Sequence, residues 1–417
     1  MKKTNSSILA IFFTVFIDLL GLGIVIPILP ALIINPTANL LPFDTAFSER
    51  TIIYGFLIAS YPIMQFFGAP ILGTLADRFG RKKILTLSLF GTWIGYLLFI
   101  IGILTQNIYL LFIGRSIDGF TGGNISIAQS AISDISTEEN KSRNFGLIGM
   151  AFGLGFVFGP YIGGKLSDPS VVSWFSFETP FYLALLLTTL NILLVYKMFP
   201  ETLKEKSTRK IDLLAGFKNL GKAVSHPQMR SIFIIVFLLT IGFNFFTQFF
   251  QVFLISKFSF SQSQIGDLFA YMGLWIAVAQ GAFLRPLSKK FSSQTILSFS
   301  IILLAITFPL LLLPDKAIWI YVIIPFIAIF QGLTQPNTTA IVSGLSDSKS
   351  QGEILGMNQS IASLAQAIPP IVAGFLTAIN VNLPTLFAAG STLLAWLVFK
   401  FLFKQRKPIV TLATENS

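Results

Sequence analysis

The sequence predicts an all-α polytopic membrane protein, with twelve transmembrane helices arranged as two pseudo-symmetric six-helix bundles. Three observations predict it. Of the 417 residues, 53% are hydrophobic and only 11% charged, against about 25% charged in a soluble domain, and the mean hydropathy is +0.76. Apolar windows near the roughly 20 residues that cross a bilayer recur at about 8–34, 52–75, 84–104, 108–132, 144–166, 179–198, 231–256, 263–284, 295–313, 317–344, 354–379 and 384–403. The basic residues then sort by side. Arg50, Lys165, Lys257 and Lys316 fall on one side and Arg115 inside a span, while the rest of the 29 lie on the other side with both termini. By the positive-inside rule that side is cytoplasmic.

The first span follows Met-Lys-Lys, as a signal peptide would. Its apolar run is too long for one, contains Asp18 and has no small-residue cleavage site, so it reads as a retained helix. The formal net charge of +11 follows from the topology and indicates contact with a lipid bilayer, not nucleic acid. No cysteine is present, which excludes disulfides and thiolate chemistry. The single histidine, His226, lies in a hydrophilic stretch, and no P-loop, nucleophile elbow or metal-ligand spacing occurs. The sequence therefore does not read as an enzyme or an ATP-driven pump, and no cofactor is expected.

The longest hydrophilic stretch, about 197–230, splits the spans six and six. The expected organisation is an N-terminal bundle at 1–200, a cytoplasmic linker at 201–230 and a C-terminal bundle at 231–417. Within the linker, IDLLAGFKNLGKAV has the pattern of a short interfacial helix. A shift of about 208 to 210 residues lays GTLADRFGRKK (73–83) on GAFLRPLSKKF (281–291), Gly122 on Gly332, Gly146 on Gly356 and GPYIGG (159–164) on PPIVAG (369–374). Duplicated halves with a path between them are a transporter architecture.

Charges inside the spans are few. Asp18 and Asp118 are the acids placed deep in hydrocarbon, and Arg115 is the base. Each costs roughly 2.5–3.5 kcal/mol at mid-helix, so the three are expected to pair across a polar cavity. Arg115 and Asp118 stand three residues apart on one helical face, with Asp18 at similar depth on the first helix. Two carboxylates sharing one guanidinium leave one negative charge in excess, to be met by a proton or a cationic substrate. An aspartyl-pair enzyme would need a shared-proton state that Arg115 opposes. Polar residues at helical spacing mark further inward faces: Asn244, Gln248 and Gln251; Gln359, Ser363 and Gln366; Gln331 and Gln335; Tyr271 and Trp275. They suit a bulky amphipathic organic molecule, or else bond between packed helices.

The loop GTLADRFGRKK, with DLLGLGIVIPILP (18–30), GRSIDGFTGG (114–123) and GLGFVFGPYIGG (153–164), resembles the major facilitator superfamily, and within it the twelve-helix drug/proton antiporters that include the tetracycline exporters. The resemblance implies alternating access in a bacterial cytoplasmic membrane, by a monomer whose partners are a small-molecule substrate, protons and lipid. The proton would be the coupling ion, exchanged at Asp18 or Asp118 beside Arg115. The loop residues Gly73, Asp77, Arg78, Gly80 and Arg81, with Asp134 and the Gly352 to Gly356 turn, would form a cytoplasmic gate. Gly73 would admit a neighbouring helix, and Asp77 would accept from helix N-terminal amides. Gly155, Gly159, Pro160, Gly163 and Gly164, with Gly149 and Gly153, would pack the fifth helix closely and seal the outer side. Export of a drug such as tetracycline is the leading expectation. Export of an endogenous metabolite or siderophore, and uptake by proton symport, are the alternatives.

Overall fold

The computed structural model describes residues 2–136, 138–203, 206, 212, 214–225, 230–344 and 351–403. The helices are α1 (Lys2–Ile34), α2 (Phe47–Phe79), α3 (Arg81–Leu104), α4 (Ile108–Thr121), α5 (Asn124–Ile135), α6 (Glu138–Leu166), α7 (Thr179–Met198), α8 (Ala215–Ser225), α9 (Arg230–Phe258), α10 (Gln262–Val278), α11 (Leu284–Lys290), α12 (Ser293–Leu310), α13 (Ile318–Gly344), α14 (Gln351–Ile379) and α15 (Leu383–Leu402). No strand occurs among the described residues. The helices satisfy their own backbone N–H and C=O groups, as a bilayer demands.

Eleven helices among the described residues are long and apolar enough to span a membrane. The twelfth expected span, 108–132, is present but broken into α4 and α5 at Gly122–Gly123, where ψ rises to 6° and 0° from the roughly −42° of an α-helix. Consecutive glycines weaken a helix without lowering its hydropathy, so the window analysis passes over the break. The eighth span also departs from expectation. It continues past residue 284 to Lys290 through a five-residue π turn, Ala279–Phe283. The second copy of the loop motif is therefore helical where the first turns at Gly80.

Hydrophobic packing defines two ends. At the end away from the α2–α3 turn, one continuous buried cluster joins Leu29, Tyr54, Phe99 and Phe181 from the first half of the chain to Phe249, Phe269, Phe308 and Ile324 from the second. At the end carrying Arg81, Lys82 and Lys83, here the basic end, the core divides. Ile11, Leu85, Ile132 and Val195 belong to one cluster, and Phe233, Leu297, Val342 and Phe399 to another. The halves are joined at one end and parted at the other.

The joining surfaces are two helix pairs. On α6, a Cβ added at Gly164 would stand 3.0 Å from the Gly266 Cα of α10; on α2, one added at Gly55 would stand 3.2 Å from the Gly374 Cα of α14. Only glycine permits such backbone approach. The pairs are copies: Pro160 and Gly164 face Gly266 as Pro370 and Gly374 face Gly55, the correspondence that the internal repeat predicts. Further along the same faces contact ceases. Gly146 and Gly153, at heptad spacing from Pro160, and Gly73, five turns from Gly55, have nothing within 4 Å of an added Cβ.

Across the gap lies α8. Ala223 is fully buried in the second basic-end cluster, Asn219 donates to the Ser360 hydroxyl of α14 at 3.2 Å, and the Phe217 ring meets Phe66 of α2 at 5.0 Å. The expected interfacial helix forms, but its apolar face covers protein. An amphipathic stripe is satisfied equally by either apolar surface.

Candidate functional site: buried charges and a basic-end ion-pair network

Asp18, Arg115 and Asp118 are all buried, with relative exposures of 6%, 7% and 6%. Asp18 reaches the site from mid-α1, and Arg115 and Asp118 from the last two turns of α4. Asp118 lies within electrostatic reach of Asp18, so the expected convergence is real. The expected pairing is not. Among the described residues no carboxylate oxygen lies within 4.0 Å of the Arg115 guanidinium, which sits 4.6 Å over the Tyr61 ring of α2. Its Nε and Nη1 have no partner, and neither has Asp18 Oδ2. Asp18 Oδ1 instead accepts from Asn124 Nδ2 at 2.8 Å, because the break after α4 brings the first residue of α5 to α1. Tyr61 and Tyr96 complete the wall, both within electrostatic reach of both acids. A site with unpaired donors and acceptors out of water favours arrival of a proton or a polar ligand.

At the basic end, Gly80 turns the chain from α2 to α3 at φ 108°, a conformation that L side chains rarely adopt. Arg81 is then buried between two acids, ion-paired to Asp77 and bonded through Nε to Asp134 Oδ2 at 3.3 Å. The Arg81–Asp134 link is present as the resemblance implies. Asp77 pairs with Arg81, and the chain leading into α14, whose opening amides it is expected to meet, lies outside the described residues. Two expectations on glycines fail. Gly73 has no close neighbour, and Gly149 and Gly153 are equally unopposed. The physical reason is common to the glycines: the halves are parted here. Arg78 is exposed and lies 5.3 Å over the Phe79 ring. Residues 352–356 are helical within α14 and form no turn; the surroundings of Gly356 and the side chain of Gln359 lie outside the described residues.

Sequence reasoning missed Glu201. Its carboxylate accepts from the backbone N–H groups of Arg81 at 2.8 Å and Lys82 at 3.2 Å, placing an anion on the unsatisfied amides that open α3. Glu201→Gln is expected to destabilise the fold by ~1 kcal/mol, read as a lower midpoint of thermal unfolding in detergent. An unchanged midpoint would show that the amides have another partner.

The fifth-helix motif does what close packing predicts. An added Cβ at Gly159 would stand 2.7 Å from the Gly23 Cα of α1, and one at Gly163 2.8 Å from the Ile24 Cα, while Gly155 faces Leu19. Pro160 and Gly164 turn to α10. Beyond them a polar clasp, also unforeseen, joins the halves. Lys165 Nζ bonds Asp267 at 2.8 Å and Ser263 at 2.7 Å, and Asp168 Oδ2 accepts from the Ser263 backbone at 3.4 Å. Burial pushes the Asp168 carboxyl up, but hydrogen bonds from Ser170, Ser261 and Ser263 outweigh it and hold the group below the usual carboxylate range. A depressed folded value means that its stabilisation is complete above the ordinary carboxylate pKa of about 3.9 and lost as pH falls through the folded value. The distance between spin labels placed across this clasp is therefore expected to stay constant at neutral pH and to widen only at strongly acid pH. Widening near neutrality would contradict the assignment.

The polar faces divide. Gln251 is buried, its Nε2 bonded to the Thr247 carbonyl at 2.7 Å and its Oε1 unpartnered. Asn244 bonds one turn back to Thr240 at 2.8 Å, and the Gln248 carbonyl accepts from Tyr54 of α2 at 2.9 Å. Tyr271 stands edge-on to Trp275 with centroids 6.3 Å apart, and the Trp275 indole N–H is buried without a partner. Gln331 and Gln366 are half-buried, Gln335 is exposed and Ser363 is buried. Tyr54 was not foreseen. Its ring, 5.1 Å from Phe249, joins the halves beneath the cleft.

A helical layer sealed at one end, cleft at the other and holding unpaired ionisable groups between defines a multi-span solute carrier. Comparison with known proteins agrees. The model of the Major Facilitator Superfamily matches residues 11–324 and 232–416, and the chain belongs to that family. It is 30% identical over 404 residues to the tetracycline resistance protein, class C, of Escherichia coli, covering 95% of this chain and 94% of that protein. To the quinolone resistance protein NorA of Staphylococcus aureus (strain MRSA252) it is 27% identical over 410 residues, covering 97% of this chain and 98% of that protein. The crystal structure of the human organic anion transporter MFSD10 has the same fold, with a TM-score of 0.71 at 22% identity over 95% of this chain and 99% of that chain.

Proposed function

We propose that this transporter exports a small amphipathic organic molecule, of the tetracycline or multidrug kind, in exchange for protons by alternating access. The observation that carries the proposal is the pair of buried acids, Asp18 and Asp118, beside a guanidinium that neither neutralises by contact. One carboxylate in excess favours either a proton or a cargo, and exclusion between the two gives exchange. The names of the resistance proteins it resembles support a drug as cargo. In this reading the basic end faces the cytoplasm of a bacterial cell, with both termini on that side. The two units, 1–200 and 231–417, rock about the joined end while α8 of the 201–230 linker spans the gap, and a monomer suffices.

The test is purified protein in liposomes with a pH-sensitive dye inside and tetracycline as the first cargo, followed by a drug panel. Cargo flux that drives counterflow of protons and stops with a protonophore is the expected result. Cargo flux with no proton movement would overturn coupling. Proton counterflow with no drug but with a metabolite mixture would reassign the cargo and keep the exchange.

A further inference from the structure

We infer that Asn124 is a positioning residue for proton exchange at Asp18, held in place by the clasped break between α4 and α5. The inference rests on the proton-coupling reading above and assigns a role to a residue outside the acid–arginine set.

The break is built on both sides. In a continuous helix the Gly122 carbonyl would accept from Ser126 N–H, but that donor turns to Gly123 O at 3.2 Å. The freed Gly122 carbonyl is taken by Gln65 Nε2 of α2 at 3.0 Å, and the Thr121 carbonyl by the Ser88 hydroxyl of α3. Side chains from two neighbouring helices thus satisfy the carbonyls that an interrupted membrane helix leaves open. A break supported in this way is a fixed feature of the packing.

Its effect is to separate the site into two pieces. Arg115 and Asp118 lie on α4, before the break, and Gly122 N–H closes onto the Asp118 carbonyl at 2.7 Å. Asn124 lies after it, 2% exposed, as the first residue of α5. The 2.8 Å bond from Asn124 Nδ2 therefore ties Asp18 to α5, while the charge acting on Asp18, that of Asp118, belongs to α4. The titratable groups within electrostatic reach of Asp18 are Asp118 from α4, Tyr61 from α2 and Tyr96 from α3, and Arg115 of α4 acts on Asp118 and on both tyrosines. The contribution of α5 is the uncharged amide. Twelve residues long, about 18 Å, α5 ends where Asp134 holds Arg81. One rigid helix has the proton site at its first residue and the basic-end ion pair in its last turn, so a proton that weakens the Asn124 bond loosens the near end of the element that carries Asp134.

The donor favours the ionised form of Asp18. Asn124→Ala removes it, so the pH at which tetracycline/proton exchange in liposomes is half-maximal is expected to rise by about one to two units. Gln65→Met, which frees the Gly122 carbonyl and leaves Asn124 intact, is expected to move it the same way by less. Unchanged or lowered midpoints in both variants, at normal abundance, would overturn the inference. Should Asn124→Ala fail to fold, Gln65→Met decides alone, a rise supporting the role and no change overturning it. A wild type whose flux ignores pH altogether would instead overturn the proton-coupling reading, so the two failures are distinguishable.

Discussion

Replacing Asp18 by Asn is expected to leave the protein folded in the membrane and to reduce proton-driven exchange to background. The substitution is isosteric and keeps an oxygen where Asn124 Nδ2 donates at 2.8 Å, so packing at a position 6% exposed is preserved. What it removes is an ionisable group. Asp118 and Arg115 then remain as one acid and one base on the same helix, with no charge left over to be met by a proton. Cargo bound by shape and apolar contact should still cross down its own gradient, so counterflow of labelled cargo persists while accumulation against a pH gradient is lost. That split separates coupling from binding, because unfolding would remove both. Full accumulation in the variant would place the proton elsewhere, and Asp118→Asn is the measurement to make next.

Gly164→Leu is expected to hold the joined end open and so reverse which side of the cleft is accessible. An added Cβ alone would stand 3.0 Å from the Gly266 Cα, and the rest of a leucine has no space unless α6 and α10 separate. Overpacking of this kind costs about 1–3 kcal/mol, comparable to the gap between conformations of a two-state protein. The chain contains no cysteine, which makes the readout simple. Gly153→Cys, on the same helix face with nothing within 4 Å, is a single reporter at the parted end. Maleimide labelling there should be fast in the reporter alone and slower by about tenfold or more when Gly164→Leu is added. Equal labelling rates would mean that the seam does not control the cleft.

The sequence makes most of the architecture legible because a bilayer imposes a length on every apolar run. Its internal repeat goes further, pairing Pro160 and Gly164 with Pro370 and Gly374, residues that take equivalent places at the two seams. Arg81 and Asp134 meet as the loop motif implies. Other features lie beyond periodicity. A Gly–Gly step in an apolar window leaves hydropathy unchanged, so the α4–α5 break and the placement of Asn124 are invisible until Gln65 and Ser88 are seen to hold its carbonyls. Glu201 reaches α3 from beyond α7, a distance no local pattern reports. Gly73 and Gly153 fail as contact sites for another reason. In the proposed cycle the halves take a second arrangement, and a small residue that is bare in this one would be a landing place there.

At their glycines the seams are backbone against backbone, so the paired helices stand closer than side chains would allow. Around them lie the side chains of one apolar cluster shared by both halves and the Lys165–Asp267 pair, so separation uncovers oily surface and breaks an ion pair. Parting the halves therefore has a cost, and in the proposed exchange it is the arrival or loss of a hydrogen ion at Asp18 that would have to offset it.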